Sequence, residues 1–296
     1  MPLRIVAAVL CAAALATPAS AQNSMSALVP AYFYPGAEWN ALNTAASTVN
    51  LTAIMNPNSG VGAAQDANYV AAVANLRAAG GRSIGYVATT YGDRPIAAVL
   101  AEITQYNTWY GGASGIGGIF IDEMTNTGTP ATLAYYRQIY DHVKAINPTW
   151  TLVGNPGATT TESYLNGVSG RTADTLVVFE GSHATYAGYT PSSWNANYAP
   201  SNFAHLVYDT ATSGQMTADI DLAAARHAGF SYVTDDVLAN PWDTLPPYWT
   251  AEVMKMAMTP VPEPASVLLV AALGAVGCGW RVRRAGCCKP AASLPR

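Results

Sequence analysis

The chain has 296 residues, of which 50% are hydrophobic and 11% are charged, and its formal net charge is −4. The charge is concentrated between residues 22 and 264, where 8 Lys and Arg stand against 18 Asp and Glu, a formal charge of −10. An acidic domain argues against nucleic acid or an anionic polysaccharide as a tightly bound partner, whereas a neutral or cationic polymer is compatible with it.

Residues 1–21 have the three parts of a secretory signal peptide. Arg4 supplies the positive start, an apolar stretch follows, and Ala19-Ser-Ala21 is a small-residue cleavage site. We therefore expect an exported protein whose mature chain begins near Gln22. All four cysteines lie outside residues 22–260, so no disulfide is expected in the exported domain.

Short apolar runs alternate with amphipathic stretches of helical period between residues 22 and 260. Asp66, Pro95 and Thr129 stand where helices are expected to begin, as caps or as a first-turn proline. The eight predicted strands are residues 27–35, 50–56, 82–89, 116–121, 151–156, 175–181, 203–209 and 231–236. This alternation predicts an α/β fold, a single-domain (β/α)8 TIM barrel, for which about 250 residues is a typical length.

An open doubly wound sheet is the alternative arrangement for alternating strands and helices. A glycine-rich phosphate loop directly after a strand would support it. The Gly115-x-Gly117-Gly118 run instead precedes a predicted strand, so the barrel is favoured.

The fourth predicted strand is an apolar run that ends in two adjacent carboxylates, Asp122 and Glu123. The sixth repeats the pattern and ends in Glu180. Carboxylates at the ends of buried strands are costly unless they are bonded, paired or solvated in a cleft. Because the carboxyl ends of barrel strands line one mouth, Asp122, Glu123 and Glu180 are the predicted catalytic residues.

Polar and aromatic side chains follow several of the other predicted strands. Amides and phenols hydrogen-bond sugar hydroxyls, and aromatic rings stack on sugar rings. Together with two carboxyl groups, such a set is typical of glycoside hydrolysis. The residues expected to bind the substrate are Tyr32, Tyr34, Asn56, Tyr91, Asn155, Tyr208, Asp235 and Asp236.

Strand alternation would send the neighbouring side chains of Asp122 and Glu123 to opposite faces unless the strand bulges or ends there. One of the two is therefore a candidate for orienting the other, and the sequence leaves the roles of acid, nucleophile and base open. The histidines have no metal-ligand spacing, so no metal or cofactor is predicted, and His183 is the one expected near the mouth.

The C-terminal residues 261–296 resemble the PEP-CTERM sorting signal of Gram-negative bacteria. Val261-Pro-Glu-Pro264 precedes an apolar run over residues 265–280, and Arg281-Val-Arg-Arg284 follows it. A plain transmembrane tail anchor is the simpler interpretation of the run and its basic flank. The resemblance implies transient anchoring in the inner membrane and a partner of the exosortase type, a membrane protease that cuts near the motif.

Four motifs follow one another along the domain, namely Val29-Pro-Ala-Tyr-Phe-Tyr-Pro35, Gly85-Tyr-Val-Ala-Thr-Thr-Tyr-Gly92, Gly118-Ile-Phe-Ile-Asp-Glu-Met124 and Phe179-Glu-Gly181. With these motifs the domain resembles the spherulin-4 family (spherulation-specific family 4). The resemblance implies a (β/α)8 barrel that hydrolyses α-1,4-linked chains of galactosamine and N-acetylgalactosamine from within. The family's Asp–Glu pair falls on Asp122 and Glu123, and its second Glu on Glu180.

The sequence thus predicts an exported, monomeric, endo-acting glycoside hydrolase of an exopolysaccharide. A non-catalytic carbohydrate-binding or matrix protein on the same barrel is the alternative, because a fold does not fix a function. An enzyme that has lost its activity usually lacks a catalytic acid, and all three acids are present here. A metal-dependent deacetylase is a further alternative, but no His-rich ligand set supports it.

Overall fold

Eight parallel strands close into a barrel in the order in which they follow one another along the chain. The structure is a computed structural model that describes residues 23–167 and 170–261. The strands are β1 (Ser26–Ala31), β2 (Leu51–Met55), β3 (Arg82–Ala88), β4 (Gly118–Asp122), β5 (Thr151–Gly154), β6 (Thr175–Ser182), β7 (Phe203–Tyr208) and β8 (Phe230–Val233). The closed parallel barrel confirms the predicted (β/α)8 fold.

Helices follow the strands and cover the barrel from outside. They are α1 (Ala37–Ala45), α2 (Ala67–Ala78), α3 (Ile96–Tyr110), α4 (Pro130–Ile146), α5 (Ser163–Asn166), α6 (His183–Tyr186), α7 (Ser213–Ala225) and α8 (Trp249–Met258). The regular alternation expected from the sequence is interrupted after β5 and β6, where α5 and α6 are single turns. Because these two helices are short, mainly irregular chain follows β5 and β6.

The helix starts obey the capping signals in the sequence. The Asp66 side chain accepts a hydrogen bond from the backbone N–H of Asn68 at 2.8 Å and so caps α2. The Thr129 hydroxyl accepts one from the backbone N–H of Thr132 at 3.2 Å, immediately before Pro130 begins α4. Such caps satisfy backbone donors that have no partner inside the helix.

The barrel wall is apolar and its strands are buried. β1 and β2 are buried at every residue, and in β4 only the terminal Asp122 is partly exposed. Strands buried on both faces are typical of parallel sheets that are covered by helices. The polar ends of these strands therefore lie where the buried wall meets solvent.

A register irregularity lies just before Glu180. β6 pairs Val177 with Ala204 of β7, but Phe179 with His205, so one extra residue sits on β6 between them. Such bulges re-aim the side chains that follow and are common near active sites. After it, Glu180 pairs with Leu206 on the neighbouring strand.

The two ends of the described domain are joined to each other. The backbone N–H of Met25 donates to the carbonyl of Thr259 at 2.9 Å, and that of Val261 donates to the carbonyl of Asn23 at 2.8 Å. Because β1 begins here, both chain ends lie at the N-terminal end of the strands, opposite Asp122 and Glu180.

No helix within residues 23–167 and 170–261 is long and apolar enough to cross a membrane. The predicted leader, residues 1–21, and the predicted transmembrane run, residues 265–280, lie outside the described residues.

Substitution of Gly118 tests the close packing of β4 against β5, the two strands that lead to Asp122 and Asn155. A Cβ at this position would overlap the backbone carbonyl oxygen of Thr151 on β5, and a backbone atom cannot be displaced without moving the strand. We expect Gly118→Ala to lower the free energy of unfolding by about 2 kcal/mol or more, which corresponds to a melting temperature lower by roughly 4–8 °C.

Gly188→Ala is the matched control for this measurement by thermal unfolding. The nearest atom to a Cβ at Gly188 is 3.8 Å away, which is ordinary van der Waals contact. Its melting temperature should stay close to that of the parent. Equal melting temperatures for Gly118→Ala and the parent would contradict the close β4–β5 packing.

Candidate active site

One side-chain amide joins the two principal carboxyl groups. Asn155 follows β5, which lies in the barrel between β4 and β6. Its Nδ2 donates to Asp122 Oδ1 at 2.8 Å and to Glu180 Oε2 at 2.7 Å. Since both oxygens bond one nitrogen, they lie no more than about 5.5 Å apart, the sum of the two distances.

A cavity of about 220 Å³ opens over this pair at the C-terminal end of the barrel. Five of the residues predicted from the sequence line it, namely Tyr32, Asp122, Asn155, Glu180 and Tyr208. The wall is completed mainly by apolar and aromatic side chains, among them Phe120, Leu206, Leu238 and Trp242. Two carboxyl groups in a small pocket with apolar and aromatic walls are a suitable arrangement for acid–base chemistry.

The Glu180 carboxyl group is partly protonated at neutral pH. Its pKa is raised from 4.5 to about 7, mainly because burial disfavours the charged form. The hydrogen bond from Asn155 opposes this shift, the negative charge of Asp122 adds to it, and a hydrogen bond from Trp242 opposes it. A carboxylic acid with a pKa near 7 can both donate and accept a proton under ordinary conditions.

Asp122 lies against an aromatic wall. Tyr86, on β3, has its pKa raised first by burial and then by the charge of Asp122 and a hydrogen bond to it. Because the phenol stays protonated, it donates that bond to the Asp122 carboxylate. Tyr86 contacts Tyr32 edge-on, with ring centroids 5.5 Å apart, and is stacked on Phe120 at 6.2 Å.

Glu123 is turned away from the cavity. Its φ of +49° places the backbone in the left-handed region, which residues other than glycine rarely adopt. Its side-chain Oε2 accepts a hydrogen bond from the backbone N–H of Thr90 at 3.1 Å, and its carbonyl accepts one from Tyr91 at 2.7 Å. The strand ends at Asp122, and Glu123 fixes the loop after β3 beside the cavity.

Three of the predicted substrate-binding residues lie outside the cavity lining on the β1–β3 side. The Tyr34 hydroxyl donates to Asp66 Oδ2 at 2.8 Å, and its ring is 56% exposed. Asn56 Oδ1 accepts from the backbone N–H of Gly60 at 2.8 Å and so holds its own loop. Tyr91 is 64% exposed.

The two predicted residues after β8 also lie outside the cavity lining. Asp236 Oδ2 accepts a hydrogen bond from the Thr244 hydroxyl at 2.7 Å within the loop before α8. Burial, followed by the charge of Asp236, raises the pKa of Asp235. Asp235 and Asp236 therefore lie on the loop after β8, at the C-terminal end of the barrel but outside the cavity.

His183, expected near the mouth, begins α6 and pairs with a buried carboxylate. Its Nδ1 lies 2.9 Å from Asp219 Oδ2, which also accepts from the Thr210 hydroxyl at 3.0 Å. Neither His183 nor Asp219 lines the cavity. In the described part of the chain, no group of three or more His, Cys, Asp or Glu could hold a metal ion.

Tyr86 and Trp242 are the site residues that sequence reasoning missed. Trp242, in the loop after β8, is buried, bonds Glu180 and packs edge-on against Tyr208 at 6.2 Å. Its carbonyl accepts the backbone N–H of Tyr32 at 3.2 Å. Strand alternation inward from Ala88 could have identified Tyr86, whereas a tryptophan in an irregular loop gives no periodic signal.

Comparison with known proteins gives consistent matches over the barrel. Residues 26–256 match the model of the spherulation-specific family 4. Spherulin-4 of Physarum polycephalum is 31% identical over 245 residues, which cover 79% of this chain and 70% of that protein. The crystal structure of Aspergillus clavatus Sph3 in complex with GalNAc is 27% identical, covers 79% of this chain and 98% of that one, and superimposes with a TM-score of 0.70.

A second match lies at the C-terminal end. Residues 260–284 match the PEP-CTERM protein-sorting motif. This confirms the sorting motif predicted from the Pro-Glu-Pro sequence, the apolar run and the basic cluster.

The pKa of Glu180 implies a pH-dependent effect on stability. Because the folded-state pKa is raised, the folded state binds this proton more tightly than the unfolded chain, and that stabilisation is lost as the pH rises from 4.5 through about 7. We expect Glu180→Gln to be more stable than the parent at pH 8 by on the order of 1–3 kcal/mol, with the advantage vanishing at pH 4.

Thermal unfolding of both proteins at pH 4 and pH 8 checks this expectation. Asp141→Asn is the control, because Asp141 is exposed and forms only an i,i+4 pair with Arg137, worth a few tenths of a kcal/mol. A difference between Glu180→Gln and the parent that is the same at both pH values would contradict the raised pKa.

Proposed function

The chain belongs to spherulation-specific family 4, and from that premise we propose that it is an exported, endo-acting glycoside hydrolase of an amino-sugar exopolysaccharide. The observation that carries the proposal is the pair of carboxyl groups, Asp122 and Glu180, held by Asn155 in a cavity at the barrel mouth. Most glycoside hydrolases act through two such groups on either side of the scissile bond.

Glu180 serves as the acid and base in this proposal. Its pKa of about 7 supports that role, because a protonated carboxyl group is available to the leaving oxygen at neutral pH. Trp242 and Asn155 donate hydrogen bonds to it, which keep its pKa from rising further. They position the group and hold its pKa in the range in which it can both give and take a proton.

Asp122 serves as the nucleophile. Carboxyl groups about 5–5.5 Å apart suit a double displacement, whereas inversion needs roughly 6.5–9.5 Å to admit a water molecule. The bonded oxygens of Asp122 and Glu180 are within about 5.5 Å of each other. Tyr86 and Asn155 orient Asp122 by hydrogen bonds.

The reaction follows in two balanced steps. In the first, the glycosidic oxygen takes the Glu180 proton as its bond to the anomeric carbon breaks, and an Asp122 oxygen forms a bond to that carbon. In the second, Glu180 takes a proton from water, the water oxygen bonds the anomeric carbon, and Asp122 leaves. Glu180 ends protonated and Asp122 ionised, as they began.

The proposed polymer contains galactosamine and N-acetylgalactosamine in α-1,4 linkage. The proposed activity is therefore that of an endo-α-1,4-N-acetylgalactosaminidase. The similarity to Sph3 in complex with GalNAc supports an N-acetylgalactosamine-type sugar. The formal charge of −10 over residues 22–264 supports partly deacetylated, cationic sugars. Tyr32 and Tyr208 offer aromatic faces to the sugar within the cavity, and Tyr34, Asn56, Tyr91, Asp235 and Asp236 are proposed contacts beyond it.

Export and sorting complete the proposal. The leader at residues 1–21 directs the chain across the inner membrane, and the PEP-CTERM motif at residues 260–284 makes it a substrate of an exosortase-type protease. The apolar run over residues 265–280 holds the chain in the inner membrane before processing. The barrel acts as a monomer on the polysaccharide outside the cell.

Release of reducing ends from a partly deacetylated α-1,4-galactosamine polymer tests the hydrolase. Glu180→Gln and Asp122→Asn are each expected to lose at least about 100-fold in kcat/KM, because each removes one partner of the proposed chemistry. Glu123→Gln should lose less, since Glu123 acts through the Thr90 loop. Asp141→Asn, on the exposed face of α4, should match the parent.

Two results would contradict the proposal. Full activity in Glu180→Gln or Asp122→Asn, with folding intact, would exclude that residue from catalysis. Binding of the polymer by the parent without release of reducing ends, across a panel of amino-sugar polymers, would indicate a non-catalytic carbohydrate-binding protein.

A further inference from the structure

The end of the barrel opposite the cavity forms a distinct surface, which we call the basal face. It consists of the last turn of α2 with Arg77, the first residue of β3, Arg82, and the loops that lead into the strands. These basal loops are residues 23–25, 46–50, 79–81, 111–117, 147–150, 170–174, 199–202 and 226–229. The chain also leaves the described domain here, because Pro260 bridges Ser24 and Val261 bonds Asn23. The described chain therefore ends at the basal face.

Three cavities indent the basal face and share lining residues. One of about 260 Å³ is lined by Arg82 and Arg171, and one of about 590 Å³ by Arg77 and Arg82. A third, of about 320 Å³, is lined by Val261 and shares Ser201 with the first. The arginines and the exit of the chain thus lie on one continuous surface.

The arginines of these cavities have no carboxylate partner. Among the described residues, four of the eight Lys and Arg form salt bridges with Asp or Glu: Arg94, Arg137, Lys144 and Lys255. Arg226 instead bonds backbone carbonyls and lies over the Tyr186 ring, 4.7 Å from its centroid. The three that remain are Arg77, Arg82 and Arg171, and all three line basal cavities.

The basal face therefore has the opposite charge from the rest of the domain. Asp174 is the only Asp or Glu in the basal loops, and it is already paired with Lys144 at 2.7 Å. Arg82 donates to the Thr151 hydroxyl at 2.7 Å, which leaves its positive charge uncompensated. The acids at the mouth lie across the barrel, farther than the screening length of about 8–10 Å at physiological salt.

The sequence after the basal exit is short. Only Pro262-Glu-Pro264 separates Val261 from the apolar run that begins at Ala265. From Val261 to Ala265 a fully extended chain spans at most about 14 Å. With the apolar run in a bilayer, the basal face cannot lie far from the lipid headgroups.

We propose that the basal face docks on an anionic lipid surface while residues 265–280 are inserted, with Arg77, Arg82 and Arg171 against lipid phosphates. The catalytic cavity then opens away from the membrane, toward the polysaccharide. Each arginine at such a surface raises the ratio of docked to undocked states roughly fivefold. The inference rests on the membrane insertion put forward in the proposed function, and it does not depend on the hydrolase activity.

Hydrogen–deuterium exchange of the chain in vesicles tests the docking. The chain from residue 22 to residue 296 is reconstituted into phosphatidylcholine vesicles with and without 30% phosphatidylglycerol, and flotation reports insertion. In anionic vesicles at low salt, exchange in basal loops 111–117 and 147–150 is expected to slow, while loop 237–242 at the mouth stays unchanged. High salt should remove the protection.

Matched variants assign the protection to the arginines. Arg82→Gln/Arg171→Gln removes two basal charges and should lower the docked-to-undocked ratio on the order of 25-fold, which reduces or abolishes the protection. Arg94→Gln/Lys255→Gln removes the same charge from residues that line none of the three basal cavities and whose side chains pair with Glu102 and Asp221. That control should remain protected.

Two outcomes overturn the proposal. Flotation with equal basal exchange in both vesicle types would leave insertion in place and exclude the docking. Failure to float with either vesicle type would exclude insertion and the docking that depends on it. Hydrolase activity, measured separately on the soluble polymer, is unaffected by either outcome.

Discussion

The amide of Asn155 is the interaction on which the proposed chemistry depends. Its nitrogen donates one hydrogen bond to Asp122 and one to Glu180, and so limits the distance between the two carboxyl groups. Without this shared donor the two groups would repel each other when ionised. The repulsion is not removed, because Asp122 still raises the pKa of Glu180. Glu180, the member of the pair whose pKa is raised to about 7, therefore holds its proton near neutral pH.

The barrel topology makes this arrangement possible. Asp122 ends β4, Asn155 follows β5 and Glu180 lies on β6, so three neighbouring parallel strands deliver the three groups to one end. The same direction of the strands places both ends of the domain at the opposite face. The candidate active site and the two ends of the described domain are therefore separated by the length of the barrel.

The fold and the centre of the site could be predicted from the sequence because both follow from strand pattern. Short apolar runs in the sequence predict buried strands, and Asp122 and Glu180 stand at the C-terminal ends of two of them. Asn155 is predicted in the same way, because it follows another such run. Tyr86 lies two residues before the end of β3, so it could be assigned by following the alternation of the strand inward from Ala88. Trp242 could not be assigned from any pattern, because it reaches Glu180 from an irregular loop whose path depends on tertiary packing.

Two residues predicted for the site, Glu123 and Asn56, do not line the cavity, and local backbone geometry and hydrogen bonds explain why. The positive φ of Glu123 ends the strand pattern one residue early, so its carboxylate bonds the Thr90 loop instead of facing Asp122. Asn56 turns back on its own loop and bonds Gly60. Local hydrogen bonds of this kind decide side-chain direction at strand ends, and periodicity carries no information about them.

The most direct test of the account is the anomeric configuration of the first product released from a defined oligosaccharide, followed by NMR before mutarotation. A separation of no more than about 5.5 Å between the bonded oxygens of Asp122 and Glu180 predicts retention. Inversion would contradict the account, because it requires a water molecule where Asn155 now bridges the two carboxyl groups.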